Sequence, residues 1–318
     1  MTPPAVFTGL LLTLWTYKCL MMVVFQNKII YMPSVPPFSR SEKVGDYTIQ
    51  CRPVRWTEHD LQSVDGTALK LLEGHTDHAE EPPKPSQVVV LYFQGNASSL
   101  PPRLPFLSQI LKTVQNSEAW NATGCVSMVA LSYRGFWTSS GSPSQKGIEL
   151  DAKVALQWVL GRYSQDTKIV LWGQSIGSGV ATLAAANLLR KDRAQFDRIS
   201  GILLETPFVD LRAMLVALYP QKWLPYRYLT PFLMSTWETK RGLEEIGSAR
   251  SNVQVMLLQA GADEIVPDGQ AGVLEDACRE RGIRVERRVV PGALHQDIMM
   301  KPAGRGQIAS FIGRFIRD

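Results

Sequence analysis

The chain has 318 residues, of which 45% are hydrophobic and 20% are charged. This composition is typical of globular proteins and argues against wholesale disorder, a collagen-like chain or a multi-span membrane protein. Lys and Arg (34) outnumber Asp and Glu (29), giving a net charge of +5, but the two signs are interspersed, so no nucleic-acid partner is expected. The four cysteines, Cys19, Cys51, Cys125 and Cys278, lack the spacing of a zinc site or disulfide framework, and no metal site is predicted.

The first predicted element is an apolar segment, residues 5–25, which reads AVFTGLLLTLWTYKCLMMVVF. As a helix it would be about 31 Å long, which matches the hydrocarbon core of a bilayer. Its Leu, Phe and Val residues favour insertion by roughly 3 to 6 kcal/mol, more than the cost of at most about 3.5 kcal/mol for Lys18. Because it lacks a basic region before it and a small-residue cleavage site after it, an uncleaved anchor is favoured over a signal peptide. The alternative is a helix that covers the soluble domain.

The charges and sequons around this segment leave the orientation open. Positive charge follows the segment at Lys28, Arg40 and Lys43, which favours a cytoplasmic domain. Two glycosylation sequons, at Asn96 and Asn121, favour the opposite side. We expect a single-pass protein of the endoplasmic reticulum, another endomembrane or the plasma membrane.

The predicted organisation is an anchor over residues 1–30, a Pro-rich connector over 31–46 and one large domain over 47–318. In that domain, strand-like runs alternate with amphipathic helices, which predicts a parallel α/β sheet. Two early runs, YTIQCRPVRW and TALKLLEG, flank Asp65-Gly66 and predict an antiparallel hairpin. Residues from about 207 to 250 have no strand pattern and predict a small helical cap insertion. The apolar runs that predict buried parallel strands cover residues 87–93, 125–131, 168–173, 201–205 and 253–259.

The pentapeptide Gly173-Gln174-Ser175-Ile176-Gly177 follows the strand-like run KIVLWG and precedes the helix-forming run SGVATLAAANLLRK. This order of strand, G-x-S-x-G and helix is typical of a nucleophile elbow, in which Gly173 and Gly177 remove side chains that would collide with the backbone. Ser175 is therefore the candidate nucleophile, at a helix N-terminus that favours a nearby oxyanion. The alternative is a glycine-rich turn that packs a helix on a strand.

A serine hydroxyl needs a base to take its proton and a carboxylate to orient that base. Of the four histidines, His59, His75, His78 and His295, only His295 follows Ser175, as the order Ser, acid, His requires. His75 and His78 are expected to be solvent-exposed in a polar loop.

Two positions compete for the acid. Asp263 follows the run VQVMLLQAG and is favoured over Glu205, which ends the preceding strand. Glu264 is expected to point away from Asp263, and Asp297 is too close to His295 in sequence to reach its far nitrogen.

The predicted oxyanion hole uses the backbone N–H groups of Ile176 and Asn96, because such holes combine the residue after the nucleophile with the loop after the third strand. Gly95 would permit close approach. The alternative for the loop over residues 93–97 is a plain strand-to-helix turn.

With these residues assembled, the chain from about residue 25 onward resembles the bud-emergence-type membrane-anchored α/β-hydrolases. This group is akin to the α/β-hydrolase-domain proteins that include depalmitoylases and monoacylglycerol lipases. The resemblance implies a mostly parallel eight-stranded sheet with helices on both faces, an N-terminal anchor, and nucleophile, acid and base at Ser175, Asp263 and His295. One departure is Gln94, because the family usually has His in His-Gly-Asn at that loop. The motifs that carry the resemblance are FQGNAS (93–98), YRGFWTSSGSPSQKGIELDAKVAL (133–156), WGQSIGSGVA (172–181), ETPF (205–208), GADEIVP (261–267) and GALHQDI (292–298).

Together these features predict a serine hydrolase that needs no cofactor. Its expected substrate is hydrophobic, either a lipid ester or a thioester on an acylated membrane protein, as for a carboxylesterase, lipase or palmitoyl-protein thioesterase. The alternatives are a peptidase-like hydrolase, or a non-catalytic membrane adaptor with the same fold, which Gln94 would suit. The oligomeric state is not predicted.

Overall fold

The computed structural model describes residues 3–76, 87–116, 125–249 and 251–317. Within these ranges, eight strands form one sheet. In chain order they are β1 (Val54–Gln62), β2 (Ala68–Thr76), β3 (Val88–Phe93), β4 (Val126–Ser132), β5 (Lys168–Gln174), β6 (Ile199–Glu205), β7 (Gln254–Ala260) and β8 (Arg284–Val290).

The strands lie in the order β1-β2-β4-β3-β5-β6-β7-β8. The β1–β2 and β2–β4 pairs are antiparallel, and all the other pairs, from β4–β3 to β7–β8, are parallel. The strands predicted from apolar runs match β3 to β7 to within two residues at each end. The predicted fold class, a mostly parallel α/β sheet, is confirmed.

The helices connect the strands and cover the sheet. The α-helices of the described ranges are α1 (Pro3–Val24), α2 (Gln26–Tyr31), α3 (Thr48–Cys51), α4 (Leu104–Gln115), α5 (Gln145–Arg162), α6 (Ile176–Lys191), α7 (Arg193–Phe196), α8 (Leu211–Leu218), α9 (Thr239–Ser248), α10 (Gln270–Glu280) and α11 (Pro302–Arg317). Short 3₁₀ helices cover Ser39–Ser41, Val44–Tyr47, Pro101–Arg103, Pro225–Phe232 and Ile298–Met300.

The two faces of the sheet form two separate cores. On β3, Val89, Leu91 and Phe93 pack into the core that includes α5 and α6, whereas Val88, Val90 and Tyr92 pack into the core that includes α4 and α11. Successive side chains of a strand point to opposite faces, so a strand covered on both sides must be apolar throughout. All six residues of β3 are fully buried, which explains why its sequence shows no polar alternation.

The hairpin starts later than predicted. The first half of YTIQCRPVRW is helical, with the 3₁₀ helix ending at Tyr47 and α3 spanning Thr48–Cys51, and β1 begins only at Val54. Pro53 disfavours the helical conformation for the residue before it, so the helix ends and an extended strand follows.

The remaining expectations concern two histidines and a glycosylation sequon. His75, expected in an exposed loop, lies within β2, where its ring contacts Ser127 Oγ at 2.8 Å and the Glu73 carboxylate at 3.3 Å. The expected loop is wrong, because β2 extends to Thr76, although 40% of the His75 side chain is exposed. His78 and the sequon at Asn121 lie outside the described residues.

The N-terminal helix α1 extends over 22 residues, about 33 Å as an ideal helix. It is long and apolar enough to cross a membrane, and none of its side chains is buried by the rest of the protein. Phe7 and Leu10 are 68% and 66% exposed. The predicted boundary between anchor and connector, at residue 30, falls within α2.

The predicted insertion over residues 207–250 contains two different parts. Its last part, α9, packs against α6, and Leu243 and Ile246 are buried in the same core as α6. The preceding part, residues 207–237, contains α8 and the 3₁₀ helix Pro225–Phe232, and we call it the cap. Trp223, Tyr228 and Phe232 of the cap are each more than half exposed.

Candidate active site

Ser175 occupies a tight turn between β5 and α6. Its backbone has φ 52° and ψ −117°, a conformation that non-glycine residues rarely adopt and that is tolerated where the surroundings enforce it. A Cβ on Gly173 would collide with the Gly177 carbonyl, and a Cβ on Gly177 would collide with the Phe93 carbonyl. Both glycines are therefore required sterically by the elbow, as the sequence predicts.

The structure brings Ser175, His295 and Asp263 together. His295 Nε2 lies 2.9 Å from Ser175 Oγ, and His295 Nδ1 lies 2.9 Å and 3.0 Å from the two carboxylate oxygens of Asp263. The imidazole is 2% exposed. This is the spatial arrangement that a nucleophile, a base and an orienting acid require, built from residues that are 88 and 120 positions from Ser175 in the sequence.

The Asp263 carboxylate is stabilised in its charged form. Burial by itself raises its pKa, but hydrogen bonds from His295, from the backbone N–H of Val266 at 2.8 Å and from that of Ile265 at 3.0 Å outweigh burial and hold the pKa below the ordinary value. Asp263 is therefore ionised at neutral pH, so it accepts the Nδ1–H of His295 and leaves Nε2 free to accept the serine proton.

Backbone contacts hold the His295 loop beside the acid loop. The N–H of Ala262 donates to the carbonyl of Ala293 at 2.9 Å. The N–H of His295 donates to the Glu264 carboxylate at 2.9 Å. Glu264 and Asp263 therefore bind the same histidine: Glu264 accepts from its backbone N–H, and Asp263 contacts its ring. The sequence reasoning missed this contact, because no spacing rule indicates which side chain will meet a backbone N–H.

Glu205, the alternative acid, makes different contacts. It is fully buried, and its carboxylate accepts hydrogen bonds from Trp172 Nε1 at 3.0 Å and Gln174 Nε2 at 3.1 Å. Burial raises its pKa to about 7, even though these hydrogen bonds and the nearby charges of Arg103 and His295 lower it. Among the described residues, Asp263 is the carboxylate that contacts the His295 ring, and Glu205 is not hydrogen-bonded to it.

The two predicted oxyanion-hole residues lie at the same cavity as the nucleophile. Asn96 and Ile176 line it with Ser175. Ile176 is the first residue of α6, so its N–H has no acceptor within the helix. A Cβ on Gly95 would lie 3.4 Å from the Cβ of Ser175, which shows how closely this loop approaches the elbow.

The loop after β3 is fixed by backbone contacts rather than by the Gln94 side chain. The side-chain amide nitrogen and oxygen of Gln94 are both buried without a hydrogen-bond partner in the described part of the chain. Instead, the N–H of Ala97 donates to the Tyr31 carbonyl at 2.9 Å, and the N–H of Ser98 donates to the Val35 carbonyl at 2.5 Å. Ala97 and Ser98 both have positive φ, and these two hydrogen bonds hold that less favourable backbone conformation.

The cavity beside Ser175 has a volume of about 230 Å³ and mostly apolar walls. The cap provides Phe208, Met214 and Leu215 among others, and the loop that carries Asp263 provides Val266. An apolar cavity with few polar groups at one end suits a ligand that is mostly hydrocarbon. Of the residues that the structure describes, no cluster of three or more His, Cys, Asp or Glu side chains could hold a metal ion.

A plant and a yeast protein are similar to the chain along most of its length, and a lipase is similar over a shorter part. No protein-family model matches. WAV2 of Arabidopsis thaliana, an alpha/beta hydrolase domain-containing protein, is 28% identical over 286 residues, 87% of this chain and 83% of WAV2. The protein bem46 of Schizosaccharomyces pombe is 26% identical over 292 residues, 91% of this chain and 86% of bem46. The lysophosphatidylserine lipase ABHD12 of Gallus gallus is 34% identical over a shorter stretch of 127 residues, 40% of this chain and 30% of ABHD12.

Solved structures are similar over nearly the whole chain. An alpha-beta hydrolase from Vibrio vulnificus superimposes with a TM-score of 0.65 at 17% identity and covers 92% of both chains. The esterase Pf2001 from Pyrococcus furiosus has a TM-score of 0.55 at 18% identity and covers 87% of this chain and 93% of the esterase. The chain therefore has the α/β-hydrolase fold, and its relatives include α/β-hydrolase-domain proteins.

Proposed function

We propose that the protein is a serine hydrolase that cleaves acyl esters or thioesters through an acyl-enzyme. The observation that carries this proposal is the position of His295, whose two ring nitrogens lie within 3.0 Å of Ser175 on one side and Asp263 on the other. An isolated buried serine or histidine has many structural uses, but a hydrogen-bonded chain of these three side chains at a strained elbow is suited to activating an alcohol oxygen.

In the proposed acylation step, Ser175 Oγ attacks the acyl carbonyl carbon while His295 Nε2 accepts the hydroxyl proton. The carbonyl oxygen becomes an oxyanion, which accepts hydrogen bonds from the N–H groups of Ile176 and Asn96. The intermediate then collapses. The bond from carbon to the leaving oxygen or sulfur breaks, and His295 gives its proton to the departing alcohol or thiol.

Deacylation repeats the sequence with water. His295 Nε2 takes a proton from the water molecule, the hydroxide oxygen bonds to the acyl carbon, and the carboxylic acid departs as Ser175 recovers its proton from His295. Asp263 stays ionised throughout and stabilises the positively charged imidazole of each transition state. The residues of this chain suffice for these steps without a cofactor.

The apolar cavity supports a substrate with a hydrocarbon acyl group. Its walls hold few hydrogen-bonding groups other than those at the Ser175 end, so a peptide backbone would lose its hydrogen bonds to water there without replacement. The relative ABHD12 is named as a lysophosphatidylserine lipase, which agrees with a lipid ester more than with a peptide. A thioester on an acylated membrane protein presents the same acyl group.

We also propose that α1 attaches the protein to a membrane. Its length and its unburied apolar side chains support this attachment. Carbonate washing of membranes should leave the protein in the pellet and detergent should release it, whereas release by carbonate alone would show that α1 covers the soluble domain instead.

A fluorophosphonate probe tests the hydrolase, because it reacts with serines activated by a base. The wild-type chain should be labelled covalently, and Ser175→Ala should remove the label without changing the thermal melting temperature by more than a few degrees. Ser178→Ala is the matched control, since Ser178 is a buried serine in the first turn of α6, directly after the elbow, and its hydroxyl donates to the Gly173 carbonyl. A wild-type protein that folds but neither reacts with the probe nor hydrolyses simple esters would be the non-catalytic adaptor.

A further inference from the structure

The N-terminal apolar segment ends against the cavity that contains Ser175. Met22, in the last turn of α1, and Ile29 and Ile30, in α2, line this cavity together with Ser175 and the cap. Part of the predicted membrane anchor is thus also part of the wall beside the nucleophile.

A buried glutamine fixes this segment to the cap. Gln26 is 5% exposed, and its Nε2 donates to the Phe232 carbonyl at 3.0 Å while its Oε1 accepts from the Met234 N–H at 2.7 Å. Both polar ends of the amide are therefore satisfied by the backbone of one cap segment, which sets the position of α2 against the cap.

Tyr31 adds a second fixed point at the other end of α2. It is fully buried, and its hydroxyl contacts Ser235 Oγ at 2.8 Å and accepts from Trp237 Nε1 at 3.1 Å. Its backbone carbonyl accepts the N–H of Ala97, in the loop that carries Asn96. Hydrogen bonds to the cap and to the predicted oxyanion loop thus hold the segment in a defined position relative to Ser175.

An apolar groove lies next to this wall, between α1 and the cap. Leu20 and Val23 of α1 and Leu229 and Phe232 of the cap line it. Val23 and Phe232 are the chain neighbours of Met22 and Leu233, which line the cavity. The groove and the cavity therefore lie side by side, and the groove is on the helix that we propose to be embedded in lipid.

We propose that the end of α1 and α2 form an acyl-chain subsite, so that the anchor also selects the length of the substrate chain. This inference rests on the proposed hydrolase function. Its occupant is the unbranched acyl chain of the substrate, with the carbonyl at Ser175, the first carbons in the cavity and the remainder in the groove. The chain reaches Ser175 from the bilayer, between α1 and the cap.

The test uses the full-length protein in phosphatidylcholine nanodiscs and a series of 4-nitrophenyl esters: acetate, butyrate, octanoate, dodecanoate and hexadecanoate. Met22→Trp and Ile30→Trp add volume to the wall. Each should lower the ratio of kcat/KM for the hexadecanoate to kcat/KM for the acetate at least about ten-fold. Met22→Ala removes volume and should shift the preferred chain length upward.

Leu14→Trp is the matched control, because Leu14 is exposed on the same helix and lines neither the cavity nor the groove. It should leave the profile of rate against chain length unchanged. A ratio of hexadecanoate to acetate rates that stays at the wild-type value in both tryptophan variants would overturn the subsite. The subsite would also be overturned if all three wall variants lost the same fraction of kcat/KM for every ester. Such a loss would show that these residues stabilise the fold and do not select the chain length.

A second measurement separates this inference from the hydrolase proposal. Ser175→Ala protein in the same nanodiscs is irradiated with hexadecanoic acid that carries a diazirine near its methyl end, and the labelled peptides are identified by mass spectrometry. Label within residues 12–30 and the cap is expected whether or not the wild type hydrolyses esters, because these residues line the groove and the cavity. Label spread evenly along α1, with no enrichment over residues 3–10, would contradict the subsite even if the fluorophosphonate reaction succeeds.

Discussion

Two carboxylates lie at the ends of adjacent strands near Ser175, and their surroundings give them opposite properties. Asp263 follows β7 in a loop, where two backbone N–H groups and His295 bind it and hold its pKa below the ordinary value. Glu205 ends β6 inside the protein, where burial raises its pKa to about 7. The same chemical group is therefore ionised at neutral pH in one region and partly protonated in the other.

This comparison shows that the position of a carboxylate at the carboxyl edge of a sheet does not determine its role. The backbone of the loop over Asp263 provides hydrogen-bond donors that compensate for burial. The end of β6 provides two side-chain donors, Trp172 and Gln174, in a fully buried place, where desolvation still dominates. An acid that must stay charged to orient a histidine is better supported by the loop.

The largest effect is expected from changing the charge of each acid separately. Asp263→Asn should lower kcat about ten-thousand-fold, because an amide that donates to His295 Nδ1 favours the tautomer with the proton on Nε2, which cannot accept the Ser175 proton. Glu205→Gln should keep kcat within about ten-fold of wild type, since Glu205 does not contact the His295 ring. Steady-state hydrolysis of a soluble ester measures both.

The reverse ranking, with Glu205→Gln the more damaging change, would transfer the orienting role to Glu205. The thermal melting temperature of each variant serves as the control for folding. Circular dichroism in detergent must show that Asp263→Asn still has the native helical and strand content before its loss of activity is interpreted.

The second prediction concerns how Glu205 makes the stability of the folded protein depend on pH. In the folded protein its pKa is about 7, above the ordinary carboxyl value of 4.5. At a pH between these two pKa values, the folded state therefore binds more protons than the unfolded state. Stability contributed by this group is present below about pH 4.5 and is lost as the pH rises through 7. The two pKa values differ by about 2.5, and a difference of one corresponds to about 1.4 kcal/mol, so the loss is about 3 to 4 kcal/mol.

Glu205→Gln should remove this loss, because an amide does not ionise. The melting temperature of the wild type should fall more between pH 5 and pH 8 than that of the variant. Because the substituted side chain would have one acceptor oxygen fewer for Trp172 and Gln174 at every pH, the slope against pH is the informative quantity and the absolute melting temperature is not. Parallel pH profiles for the two proteins would show that Glu205 is ionised in the folded protein at pH 5 already.

The sequence predicted the parts of the site that depend on local steric rules and on chain order. Gly173 and Gly177 flank the elbow because their positions leave no room for a Cβ. His295 is the histidine that follows Ser175, and it lies beside it. Apolar runs predicted β3 to β7, since strands covered on both faces exclude polar residues.

The contacts of the N-terminal segment could not be predicted in this way. Ala97 and Ser98 bind the carbonyls of Tyr31 and Val35, and any residue type provides a carbonyl, so the sequence carries no signal for these hydrogen bonds. An apolar run of this length predicts an anchor or a helix that covers the domain, and neither prediction identifies Met22 as a residue that lines the cavity. The helix over residues 48–51 was missed because its composition suits a strand, and Pro53 allows an extended strand to follow either structure.

The smallest expected effect concerns Glu264, which lies next to Asp263 in the same loop. Glu264 is exposed, and its carboxylate accepts the backbone N–H of His295 at 2.9 Å. Glu264→Ala should raise the free energy of the correct histidine position by about 1 kcal/mol, because one hydrogen bond to a solvent-accessible charged acceptor is lost. This corresponds to a fall of about five-fold in kcat, with KM unchanged. Glu264→Gln keeps an acceptor oxygen and should recover most of the rate. If Glu264→Ala and Glu264→Gln were equally impaired, the negative charge beside Asp263 would matter rather than the hydrogen bond, and the loss should then shrink as salt is added.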